Sequence, residues 1–177
     1  MKKILTALVF TICKLSFSQV IIGDNVGTAT DKTSVLLEFS STQNKGIILP
    51  YITDKTGINT PGSIILNATT PTAAKVEYYN GTSWVDLSVQ AANVSSYLGI
   101  QPTAKENNNA KVIIGANSST ADGILVLEST TKAMVLPIVS SYQNIINPAP
   151  GMMVLVNNGG IKTLAFYNGN QWSFWSY

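Results

Sequence analysis

Residues 78–84 read YYNGTSW and residues 166–172 read FYNGNQW. Each puts a tyrosine (Tyr79, Tyr167) five residues before a tryptophan (Trp84, Trp172), across an Asn-Gly pair. Such aromatic pairs can stack on a sugar ring. They can also pack across two strands and stabilise a hairpin, which is the favoured reading here. With Phe174 and Trp175 they form the candidate interaction surface: Tyr79, Trp84, Tyr167, Trp172, Phe174 and Trp175.

The remaining polar chemistry is sparse. The chain has no His, the commonest general base and metal ligand and the usual partner of a nucleophilic serine. It has no G-x-S-x-G, no glycine-rich phosphate loop and no CxxC. Glu38 and Glu128 stand in matched passages, followed by Lys45 and Lys132. A carboxylate-pair hydrolase needs its acids roughly 5–10 Å apart, and acids in separate copies of a module have no reason to converge. A repeated Glu–Lys contact between neighbouring strands is expected instead. Asp24, Asn25 and Asp31 in GDNVGTATD could approach calcium, which takes about six to eight oxygens from several carboxylates. The matched passage GANSSTADG has Ala116 in place of Asp24, so both are read as turns. The expectation is no enzyme, no cofactor and no metal.

The N-terminus reads MKKILTALVFTICKLSFSQ: two lysines, an apolar run from Ile4 to Cys13, then small residues. That is the layout of a secretory signal peptide over residues 1–18, with the mature chain starting at Gln19. The run is too short for a bilayer span, which takes roughly 20 residues. Lipidation at Cys13 is the alternative, but Ile12 stands where a small residue is wanted. The basic side chains are all Lys, and three of the 11 leave with the signal. The eight that remain face nine acids, so there is no basic patch for nucleic acid. The mature chain has no Cys, which fits a bacterial exported protein better than a disulfide-stapled secreted domain.

The chain repeats itself. VIIGDN at Val20 answers VIIGAN at Val112, and SVLLEFSS (34–41) answers LVLESTT (125–131). KGIILP (45–50) answers KAMVLP (132–137), and PGSIIL (61–66) answers PGMMVL (150–155). The order never changes, which marks a duplication. The expected layout is a first copy at 19–88, a connector at 89–111 with a short helix in VQAANVSSYLG, and a second copy at 112–177.

Each copy reads as short strands, stopped at Pro50 or Pro137 and relaunched after a Pro-Gly turn. SSYQNII suggests one helical turn capped by Ser140 or Ser141. Asn80-Gly81 predicts a two-residue hairpin loop, setting Glu77 against Trp84 and Lys75 against Asp86. Alternation then puts Val76, Tyr78, Val85 and Leu87 on one face and Tyr79, Trp84, Glu77, Lys75 and Asp86 on the other. In the second copy Tyr167, Ala165, Trp172 and Phe174 share one face, and Phe166, Leu164 and Trp175 the other. Both faces there are apolar, so both need cover from the chain itself or from a partner. The fold class is all-β: two tandem hairpin-rich modules.

The blocks resemble a module of secreted surface proteins of Bacteroidetes-type bacteria and of phage tail-fibre-like proteins. The carrying residues are Leu37-Glu38, Lys45-Gly46, Leu49-Pro50, Pro61-Gly62, Tyr79-Asn80-Gly81 and Trp84. The second copy supplies Leu127-Glu128, Lys132, Leu136-Pro137, Tyr167-Asn168-Gly169 and Trp172, with Ala133 where the pattern has glycine. The resemblance implies β-rich modules, often in trimeric fibres, displayed outside the cell. The expected function is an exported structural or adhesion component. Its partner would be itself, as a homotrimer, or another cell-surface protein. The alternatives are a carbohydrate-binding module, with a glycan on the Tyr–Trp pairs, and an accessory subunit of an outer-membrane secretion or motility assembly.

Overall fold

The computed structural model describes residues 19–40, 43–99, 107 and 110–175. The expected signal peptide, Cys13 and much of the connector's second half lie outside them. Among the described residues, no helix is long and apolar enough to cross a membrane.

The first copy contributes β1 (Val20–Ile22), β2 (Val35–Phe39), β3 (Ile47–Ile48), β4 (Tyr51–Ile52), β5 (Ile64–Asn67), β6 (Lys75–Tyr79) and β7 (Trp84–Asp86). A four-residue helix, α1 (Ser95–Leu98), follows. The second copy contributes β8 (Val112–Ile114), β9 (Leu125–Leu127), β10 (Ala133–Met134), β11 (Ile138–Val139), β12 (Met152–Asn158), β13 (Ile161–Tyr167) and β14 (Trp172–Trp175). The all-β, two-copy architecture is the one the sequence predicts. The turn in SSYQNII also forms, as a 3-10 turn at Tyr142–Asn144 whose cap, Ser141, accepts the Gln143 N–H.

Pairing inside each copy repeats. β1 runs parallel to β2, and β8 to β9. β4 is parallel to β5 in a sheet continued antiparallel by β6 and β7. β11, β12, β13 and β14 repeat that arrangement. The third strand of each copy breaks ranks. β3 pairs antiparallel with β12 of the second copy, Ile47 opposite Met153 and Ile48 opposite Met152. β10 pairs parallel with β2 of the first copy.

Leu49-Pro50 and Leu136-Pro137 are therefore the corners at which the chain leaves one copy's sheet and re-enters its own. Proline offers no ladder donor, so it suits the break between two pairings. Its carbonyl still accepts: Leu66 N–H reaches Pro50 at 3.0 Å and Leu155 N–H reaches Pro137 at 2.9 Å. Gly46 is needed for a different reason. A Cβ there would stand 2.6 Å from Met152 Cγ and 2.8 Å from the Met153 carbonyl, so the strand seats on β12 only because glycine has none. Ala133 rests on β2 with its side chain exposed, which explains why the second copy departs from glycine.

One hydrophobic cluster spans both copies. Leu49, Leu66, Ala68, Ala74, Val76 and Val94 pack with Met153 and Phe166. A second cluster, Val139, Ile145, Met152, Val154, Val156 and Ala165, lies within the second copy. β12 divides between them by alternation: Met152, Val154 and Val156 face one, and Met153 faces the other. A strand buried on both sides reads as an unbroken apolar run, as MMVLV does.

Candidate interaction surface

Both Asn-Gly hairpins form, with a register that corrects the expected one. Tyr79 faces Trp84, Tyr78 faces Val85 and Glu77 faces Asp86, so the loop is four residues, Asn80 to Ser83, not two. The second hairpin matches, with Tyr167 facing Trp172. The asparagine side chain decides the outcome. Asn80 Oδ1 accepts the N–H groups of Thr82 and Ser83 at 2.9 and 2.8 Å. Asn168 Oδ1 accepts those of Asn170 and Gln171, both at 2.9 Å. This turn asks positive φ only of Gly81 and Gly169. The two-residue loop with both positions at positive φ occurs elsewhere, at Gly159-Gly160 between β12 and β13.

A shift of two residues leaves the faces as predicted. Lys75 and Asp86 still form an ion pair, at 2.7 Å, now diagonally rather than directly opposed. Tyr79 and Trp84 pack with ring centroids 5.4 Å apart, and Lys55 Nζ lies 5.2 Å from the Trp84 ring while pairing with Glu77 at 2.7 Å. Tyr167 and Trp172 are 5.3 Å apart, with Tyr142 at 6.0 Å from Trp172 and 5.1 Å from Phe174. Each paired indole is thus engaged by two neighbours. Lys55 and Tyr142 come from polar connectors and were not singled out in the sequence, because nothing in their spacing links them to a hairpin.

Phe174 and Trp175 are 47% and 46% exposed. Ile161, at the start of the same hairpin, is exposed as well, while Phe166 and Ala165 in its middle are fully buried by the chain itself. Trp175 is also held at the seam between copies, its indole N–H donating to the Leu87 carbonyl at 2.6 Å. Ser173 donates to the Ser88 carbonyl, and Asn168 Nδ2 donates to the Gln90 carbonyl at 2.9 Å. Tyr51 closes the other side of that seam by donating to the Pro150 carbonyl at 2.7 Å. The six candidate aromatics do not converge on one surface patch: Tyr79–Trp84 belongs to one sheet, and the other four belong to the other.

The acidic positions serve loops. Glu38 is buried; it pairs with Lys32, accepts the Thr28 and Ala29 N–H groups at 2.9 Å each, and also accepts from Gln19. Burial pushes its carboxyl up, but the Ala29 amide, Lys32 and the Thr28 amide outweigh that and hold it below its ordinary value. The expected partner Lys45 is thus replaced by Lys32, because the carboxylate turns into the loop between β1 and β2. Glu128 likewise takes a loop donor, Ser119. Asp24 accepts the Val26 and Gly27 amides at 2.9 and 2.6 Å, and Asp31 accepts from Thr33. Both carboxylates are spent on turn backbone.

Residues 25–105 match a family model described as a phage tail like trimerisation region, and residues 113–176 match it again. No curated protein and no solved structure matches the chain.

Proposed function

The chain belongs to the phage tail-like trimerisation family, and on that premise we propose that it works as a self-associating, non-enzymatic structural component of a fibre-like assembly displayed outside the cell. The carrying observation is the exchange of third strands: β3 completes a sheet of the second copy and β10 one of the first. A module that hands a strand to its neighbour and takes one back is suited to building assemblies out of copies. The buried aliphatic and aromatic side chains supply the rigidity such a part needs, and the titratable groups in well-ordered loops stabilise turns.

Export rests on the layout of residues 1–18. Protease added to intact producing cells tests it: the chain should be degraded while a cytoplasmic marker survives. Protection of the chain alongside that marker would contradict display outside the cell. The glycan-binding alternative has less support, since Lys55 engages Trp84, Tyr142 engages Trp172, and the Trp175 indole N–H is spent on Leu87.

A further inference from the structure

β2 and β9 hold the same place in the two copies but are not equally paired. β2 has β1 on one side and β10 on the other, whereas β9, among the described residues, has only β8. Ile124, just before β9, and Leu125, its first residue, are 71% and 47% exposed. An apolar edge strand is a template for another strand unless charge, proline or cover protects it. Residues 124–127 read ILVL, with neither charge nor proline.

The strand that fits is displayed by the chain itself. On β2, Ala133 N–H donates to the Ser34 carbonyl and Val135 N–H to the Leu37 carbonyl, both at 2.8 Å. β3 is the counterpart of β10, KGIIL against KAMVL. Its ladder to β12 runs through Ile47 opposite Met153 and through Leu49 N–H to the Gly151 carbonyl at 3.1 Å. Amides alternate in direction along a strand. Ile47 and Leu49 therefore face β12, and Gly46 and Ile48 face away. Gly46 and Ile48 are the counterparts of Ala133 and Val135, the positions that hold β10 to β2. β3 leaves unpaired the same half that β10 uses, and Ile48 is 53% exposed.

We infer that β3 of one chain adds in parallel to the outer edge of β9 of a second copy, with Ile47 beside Leu127 and the Ile48 N–H donating to the Leu127 carbonyl. The template is Met134 beside Leu37 within the chain. The inference rests on the self-association proposed above and gives it an interface. The contact is head-to-tail: every chain offers one strand and one edge, so a three-membered ring satisfies all of them.

Two full-length chains with different tags test it, both carrying Cys13→Ser, one with Ile47→Cys and the other with Leu127→Cys. Paired strands bring such residues to about 5 Å, within disulfide range. Co-expression and oxidation should give a disulfide between the two tags, and neither variant alone should give a dimer. A sample that is trimeric by light scattering yet forms no mixed disulfide would overturn the strand pairing and leave the trimer standing. Ile48→Pro removes the outward N–H while sparing the ladder to β12. It should lower the mass three-fold to a monomer with an unchanged circular dichroism spectrum. A folded Ile48→Pro trimer would overturn the inference, and a monomeric unsubstituted chain would overturn both readings.

Discussion

Asn80 and Asn168 occupy the same slot and should not be equally important. Both cap a four-residue loop, but Asn168 is fully buried and also donates across the seam to Gln90. Asn168→Ala loses three hydrogen bonds of a buried side chain, at about 0.5–1.5 kcal/mol each. Asn80→Ala loses an exposed cap, about 1 kcal/mol. Urea denaturation should rank Asn168→Ala well below Asn80→Ala; equal midpoints would show that the seam bond contributes nothing. Glu38 sets a pH dependence. Its folded carboxyl lies below the ordinary value of 4.5, so its contribution is fully present above that pH and is lost as pH falls through the lowered folded value. Melting temperature should fall as the pH drops below about 4.5. Glu38→Gln should start lower at pH 7 and fall less. An unchanged acid dependence in Glu38→Gln would assign the effect to other carboxylates.

At the scale of elements, the corner strands carry the design. Gly46→Ala forces a Cβ against the Met153 carbonyl, which has no room to yield, and should cost about 1–3 kcal/mol by overpacking. Ala133→Gly, on an exposed strand position, should stay within about 1 kcal/mol. Thermal melts of the two variants check this asymmetry, and equal shifts would deny that β3 is seated through Gly46. The repeat, the longer strands and the faces of both hairpins were readable in the sequence because alternation and the Asn-Gly signal are local. β4 and β11, two residues each directly after Pro50 and Pro137, were not, because a proline reads as the end of a strand. The hairpin register was not: a two-residue and a four-residue loop preserve the same faces, and the choice depends on where the asparagine side chain bonds. The partner of Glu38 was missed because the repeat matches Glu38 and Lys45 with Glu128 and Lys132, whereas the buried carboxylate turns back to Lys32 in the loop before its strand. The strand exchange was also out of reach. KGIIL and KAMVL are the same strand by sequence, yet one lies antiparallel on β12 and the other parallel on β2. Periodicity names the face of a strand and is silent about its neighbour.

At the scale of the molecule, the copies are one body. Phe166 of the second copy is packed among Leu66, Val76 and Val94. Phe166→Ala should cost about 3–5 kcal/mol and destabilise the first copy as much as the second. Fluorescence from chains retaining only Trp84 or only Trp172 reads the two copies separately. Coincident midpoints are expected, and two separated transitions would show independent modules. The exchanged strands suit this chain to assembling with itself. The most direct test is the mass of the chain from Gln19 to Tyr177 by light scattering after size exclusion. Three times the mass of one chain is expected, unchanged on dilution through the micromolar range. A single-chain mass with a native circular dichroism spectrum would contradict it.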